Sequence, residues 1–210
     1  IDDAVHDPHH VSDPNATTGP LFAREPLVVD VTVKGKDDGQ KADFTLVVNH
    51  LISKFSPRGE PTDPIRVNQA RYLNDWITRQ KAVSPEREFV VIGDMNDTPD
   101  SESMQQLRGT GTSPALVDAL ASIPKAERWS FNFKGASQQI DHILVTPGLA
   151  DLVERAGVRH YNSDMPESEA WGSAPVRATD HDTPYVWLRF PSGVAADPVK
   201  GAALVTPTAS

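Results

Sequence analysis

Two stretches of the chain are apolar and β-branched at strand length: residues 27–33, Leu-Val-Val-Asp-Val-Thr-Val, and residues 44–49, Phe-Thr-Leu-Val-Val-Asn. Both predict strands. Between them, Gly35 and the run Asp37-Asp38-Gly39 predict a hairpin connection. The period then lengthens. Across residues 65–82, Ala70, Leu73, Trp76 and Ile77 fall at helical spacing, so this segment reads as an amphipathic helix. Phe89-Val90-Val91-Ile92 is a short buried strand ending at Gly93, and after the Pro99-Asp100 turn Ser101 is placed to cap a helix through Leu107. Residues 140–145 and 185–190 supply two further strands, and no internal repeat is visible. Strands alternating with helices predict an α/β (α+β) domain over residues 21–190. Residues 1–20 carry Asp, His, Pro, Asn and Thr without hydrophobic period and predict an irregular segment, whereas residues 191–210 predict a flexible tail.

Composition narrows the classes. With 38% hydrophobic and 23% charged residues the chain has the make-up of a globular domain, and no apolar run approaches the roughly 20 residues of a membrane span. There is no cysteine, which excludes disulfides, thiolate zinc sites and cysteine nucleophiles. The formal charge of -9 disfavours long-range attraction to nucleic acid, so a phosphodiester substrate would require a bound cation to offset the repulsion. No signal peptide is visible, and a chain beginning at Ile1 suggests that an upstream segment has been removed.

The polar residues with chemical potential gather next to the strands. His50 follows Val47-Val48-Asn49; Asp94 and Asn96 follow the 89–93 strand; Asp141 and His142 open the strand over 140–145; Asp180 and His181 precede the last strand. Strand ends are rigid, so side chains distant in sequence can converge there. Asp and Asn are hard oxygen ligands suited to Mg²⁺ or Mn²⁺. Histidine transfers protons near neutral pH, and a carboxylate beside it fixes its tautomer and favours its cation. Taken singly, each feature has an ordinary reading: a satisfied structural histidine at His50, a turn at Asp94-Met95-Asn96, capping pairs at Asp141-His142 and Asp180-His181. His160 and His6, His9 and His10 lack such company and read as bland. Trp76, Trp129, Trp171 and Trp187 read as packing residues, with Trp129 and Trp171 in loops that could reach a substrate.

Together, the segments resemble a known family. Val48-Asn49-His50-Leu51-Ile52-Ser53-Lys54, Gly93-Asp94-Met95-Asn96-Asp97-Thr98-Pro99, Ile140-Asp141-His142-Ile143-Leu144-Val145 and Thr179-Asp180-His181-Asp182-Thr183-Pro184 are similar, in order, to four signatures of the deoxyribonuclease I-like endonuclease/exonuclease/phosphatase superfamily. Bacterial extracellular nucleases are the nearest branch. Phe22-Ala23-Arg24-Glu25-Pro26-Leu27 resembles the stretch that opens the second half of that fold. The resemblance implies a four-layer α/β/β/α sandwich and a metal-dependent hydrolase of phosphodiester bonds. Its cofactor would be Mg²⁺ (or Mn²⁺ or Ca²⁺), and its partner nucleic acid or another phosphodiester. It also implies a secreted or cell-surface bacterial protein.

By the same resemblance, Asp94 and Asn96 orient the scissile phosphate and the attacking water, and Asp94, Asn96 and Asp180 are metal ligands. His181, paired with Asp180, is the general base or the donor to a phosphate oxygen, and His50 the second histidine. Asp141 supports a metal or polarises a histidine, and Arg24 contacts a phosphate as a fork of donors. Asn49, on the opposite strand face to His50, has a structural role. The family's first-half motifs, a strand ending in Asn and a strand carrying a metal-binding Glu, do not precede Arg24. A truncated or processed polypeptide is therefore expected, with an exposed sheet face and an upstream segment completing the fold. Two other readings stand beside the nuclease: a phosphatase of small, inositol or lipid phosphoesters, and a non-catalytic remnant of the fold.

Overall fold

A computed structural model describes residues 20–35, 41–56, 59–109, 116–166, 168 and 177–190. The irregular start over residues 1–19, the tip of the first connection, Trp171 and the tail lie outside the described residues.

The two β-branched stretches form β1 (Leu27–Lys34) and β2 (Lys41–His50), paired antiparallel from Leu27↔Val48 to Lys34↔Lys41. The helical pattern is α1 (Asp63–Val83), which starts with a proline in its first turn and carries Asp63 at its positive end and Lys81 at its negative end. It returns the chain to β3 (Phe89–Asp94), parallel to β2, as a crossover helix must. Ser101 caps α2 (Glu102–Arg108) by accepting from the Met104 amide at 3.3 Å. β4 (Val117–Asp118) is short, β5 (Phe131–Phe133) and β6 (Ala136–Gln138) form a hairpin, and β7 (Asp141–Val145) leads through the single turn of α3 (Pro147–Ala150). β8 (Val153–Arg159) and β9 (Thr183–Leu188) pair with each other.

The main sheet has the order β1-β2-β3-β7-β4, and β8-β9 is a second, smaller sheet. Alternation along the strands assigns the two faces. Val47, Phe89, Val91 and Leu144 pack with Ala70, Leu73 and Ile77 of α1 and Met104 and Leu107 of α2. Their sequence neighbours Leu46, Val90, Ile92, Ile143 and Val145 face the other way, against Val153, Val186, Leu188, Leu149 and Phe190. Helices, sheet and sheet thus lie in successive layers. β4, β5, β6 and β8 were not expected from the sequence: they are short or, in β8, polar (Val-Glu-Arg-Ala-Gly-Val-Arg), and so give little period.

On the edge strand β1, Leu27 is 59% exposed and Val28 and Val29 are also exposed. α1 departs from a simple amphipathic helix, because Arg66 and Gln69 are buried on its inner side. Gln69 accepts from the Ile52 amide (2.9 Å) and donates to the Leu21 carbonyl (2.9 Å), tying the loop after β2 to the segment before β1.

Candidate functional site

Register builds the site. His50 lies opposite Asp94 across β2 and β3, and Asp94 lies opposite Asp141 across β3 and β7. Three polar residues distant in sequence therefore stand in a row at one end of the central sheet. The row depends on Gly93, whose backbone adopts φ 130° and whose missing Cβ would lie 1.9 Å from the Asn49 carbonyl oxygen. Asn49 itself is buried on the opposite side from His50, with its amide donating to the Val47 carbonyl at 3.0 Å.

After the row, Asn96 takes a left-handed conformation (φ 52°), which asparagine tolerates. Its backbone amide donates to Asp94 Oδ1 (2.7 Å), and its side-chain amide donates to Asp94 Oδ2 (3.1 Å) and the Leu51 carbonyl (2.9 Å). The carboxylate of Asp94 is thereby fixed beside His50, whose Nε2 is 3.4 Å from Oδ2. Arg24 reaches the same histidine nitrogen with its guanidinium, so Nε2 accepts and carries no proton in this arrangement.

His181 arrives from the other side. A single antiparallel bridge holds it to Phe131 of β5, and its Nδ1 meets Asp141 Oδ2 at 2.7 Å. Ser130 Oγ donates to the same oxygen at 2.6 Å. The expected pairing of His181 with Asp180 is corrected: Asp180 is exposed and bonds to the neighbouring Thr179 hydroxyl. Asp180 is likewise absent from the group whose ligand atoms converge. Asp94, Asp141 and His181 each offer an atom within 4.8 Å of the others.

The electrostatics follow from this crowding. Burial and then the neighbouring Asp141 charge push the Asp94 carboxyl above the usual carboxylate range. Desolvation, aided by Arg24 and His181, holds His50 below the ordinary imidazole value. The hydrogen bond that His181 Nδ1 donates to Asp141 holds His181 above the ordinary imidazole value. Two close carboxylates are hard oxygen donors, and a divalent cation between Asp94 and Asp141 would relieve the repulsion that raises Asp94. The residues present therefore fit such an ion.

Sequence reasoning missed the supports. Asp97, inside a quoted motif but given no role, is buried and takes Arg66 Nε (3.0 Å), Ser103 Oγ (2.8 Å) and Lys54 Nζ (2.5 Å), with its carboxyl held down to about 2. His142, fully buried, contacts the Asp97 carbonyl at 2.9 Å. His160 is not bland: its Nδ1 is 3.0 Å from Asp182, and its ring stacks on Trp129 at 3.9 Å. Asp182 also accepts the amides of Tyr161, Asn162 and Ser163, which fixes the loop before His181 against the strand after it. The sequence does show that Asp182 adjoins His181, but not that its partners lie about twenty residues upstream.

The model of the Endonuclease/Exonuclease/phosphatase family matches residues 15–165. No curated protein matches the sequence. Among solved structures, the chain is similar to a mannosyl-6-phosphatase of Bacteroides thetaiotaomicron VPI-5482, with 20% identity, TM-score 0.51, and coverage of 79% of this chain and 57% of that one. It is similar to the catalytic domain of Xenopus laevis APE2, with 14% identity, TM-score 0.51, and coverage of 77% and 55%. A third likeness is to an endonuclease/exonuclease/phosphatase protein of Bacteroides vulgatus, with 20% identity, TM-score 0.50, and coverage of 78% and 56%. The chain thus spans little more than half the length of these structures. A family model that runs through Arg24, His50, Asp94, Asn96 and Asp141, over a mixed sheet whose strand ends bring those residues together, has one reading: the chain belongs to the endonuclease/exonuclease/phosphatase family of phosphoester hydrolases.

Proposed function

We propose that the chain hydrolyses phosphodiester bonds, with a nucleic acid strand as substrate. The observation that carries this reading is the row His50, Asp94 and Asp141 with His181 bonded to its end. It puts a proton acceptor and a proton donor on opposite sides of a pair of carboxylates.

His181 is held toward its cation by Asp141, and with Nδ1 occupied its Nε2 is the atom that donates to a phosphate oxygen. His50, held neutral, stands with Asp94 on the side able to accept the proton of an attacking water. Asn96 fixes the Asp94 carboxylate, so that the water is oriented and not merely admitted. Arg24 is exposed and rests on His50, and a phosphate would draw its guanidinium away and free Nε2. Enzymes of this family are generally dependent on divalent metal, and the carboxylates Asp94 and Asp141 would hold the ion, leaving the His181 cation for the phosphate. The ion would supply charge neutralisation for the phosphate.

The test is hydrolysis of plasmid DNA, bis(p-nitrophenyl) phosphate and p-nitrophenyl phosphate with Mg²⁺, with Mn²⁺ and with EDTA. Metal-dependent cleavage of the diesters is expected. His181→Ala and Asp94→Ala should each lower it by a factor of at least about 100. Cleavage of the monoester alone would replace this reading with a phosphatase, and full-rate mutants would remove the site.

A further inference from the structure

Beside His181 stands a hairpin that neither the core nor the reaction accounts for. β5 and β6 pair Phe131 with Gln138, Asn132 with Ser137 and Phe133 with Ala136, and Lys134-Gly135 closes them. Both turn residues have positive φ, 51° and 82°, as a tight two-residue hairpin turn requires. Lys134 is held in a conformation that costs most side chains energy, and the turn keeps its ammonium 5.2 Å above the Phe133 ring.

Phe131 and Phe133 share one face of the hairpin, two residues apart, with centroids 6.3 Å apart and planes 17° from parallel. Neither ring belongs to either apolar core. Phe133 is 51% exposed, and the residue opposite it is Ala136, too small to cover it. The inner ring leans on the reacting group, with Phe131 4.9 Å from the His181 imidazole. The base of the hairpin is fastened to the same place, since Ser130 donates to Asp141 and its carbonyl accepts the Asp182 amide at 2.7 Å. An aromatic ladder with a cation at its tip therefore runs outward from the catalytic pair.

We propose that this hairpin is a base-stacking subsite, which holds the nucleotides flanking the scissile phosphate of a single strand on Phe131 and Phe133 with Lys134 on a neighbouring phosphate. The proposal rests on the phosphodiesterase reading above and names its substrate. Every nucleobase has a π-face, so such a ladder binds without sequence preference. The 6.3 Å step is nearly twice the roughly 3.4 Å rise per residue of a duplex strand, so it fits bases drawn out of duplex stacking. Continuity with His181 fixes the occupant. Whatever lies on Phe131 is joined directly to the phosphate under attack, and the chain's acidic balance leaves Lys134 as a local attraction at the tip.

The test separates bases from phosphates. Hydrolysis of a labelled single-stranded oligothymidylate is compared with that of an oligomer of equal length built on abasic tetrahydrofuran units, in Mg²⁺, by the whole chain and its Phe133→Ala and Phe133→Tyr variants. Bis(p-nitrophenyl) phosphate is run beside them with the unmodified chain. The expected result is a KM about tenfold lower for the oligothymidylate, a preference lost in Phe133→Ala and regained in Phe133→Tyr. Circular dichroism and thermal melting of Phe133→Ala should match the parent, because the ring is exposed. Equal KM values for the two oligomers, or a preference that survives Phe133→Ala, would overturn the subsite. Cleavage of the small diester with neither oligomer cleaved would also overturn it while leaving the phosphodiesterase in place. No cleavage of any of the three would remove the proposed function and the subsite with it.

Discussion

Replacing Asp97 with alanine would leave Arg66 charged in the interior without its main partner. Arg66 has 1% of its side chain exposed, and Asp97 8%. Arg66 would keep the Ile52 carbonyl (3.1 Å), the Thr62 hydroxyl (3.4 Å) and the solvent-exposed Asp63. Breaking one side of a buried pair costs about 3–5 kcal/mol, and the remaining partners place this site at the lower end, about 3 kcal/mol. The acid side of the pair gives a second figure. Asp97 is depressed from 3.8 to about 2, so its charged form contributes about 2.5 kcal/mol to stability at neutral pH. Because the folded value is the lower one, that contribution is complete above the unfolded value and disappears as pH falls from about 4 to about 2. Urea unfolding followed by tryptophan fluorescence should therefore show a loss of about 3 kcal/mol at pH 7. At pH 3 the part of that loss owed to the carboxylate charge should fall to about half. The double variant Arg66→Met/Asp97→Leu should cost much less than the two single changes summed, since it leaves no orphan charge. A loss under about 1 kcal/mol at pH 7, or one unchanged at pH 3, would refute the view that this pair anchors the site loop.

Other outcomes can be checked with the same protein. Hydrolysis should follow a bell in pH: rising as His50, with its lowered value, loses its proton, and falling as His181 is deprotonated above the usual imidazole range. Asp141→Asn removes the negative charge that strengthens the bond raising His181 and should move the alkaline limb to lower pH; an unmoved limb in a pH–rate profile would assign it to another group. Mg²⁺ or Mn²⁺ at 100 times its dissociation constant should stabilise the chain by about 2.7 kcal/mol in thermal melts, and Asp94→Asn should abolish most of that shift. Gly93→Ala should destabilise by several kcal/mol and halt hydrolysis, because the new methyl group meets the Asn49 carbonyl on the adjacent strand; a native melting temperature would contradict the register that aligns His50 with Asp94.

The sequence by itself determined the main elements and the residues worth testing. Periods of two and of 3.6 survive in β2 and α1, which bury one side more than the other, and β3 is legible as a continuous apolar run because both its faces are covered; burial is what writes a pattern into sequence. The quoted motifs contain His50, Asp94, Asn96, Asp141 and His181, all of which meet at the strand ends. They also contain Asp180, which does not join them. Pairing was the illegible part. Nothing local distinguishes Asp141 from Asp180 as the partner of His181, since the choice is made by the bridge that holds His181 to Phe131, beside Ser130 and Asp141. The burial of Arg66 and Asp97 is illegible for a similar reason: it is tolerable only because they find each other, 31 positions apart in the chain. Local patterns record whether a residue is buried, whereas partners are fixed by strand register and by the desolvation cost that an unpaired buried charge would incur, and both exist only in the folded chain.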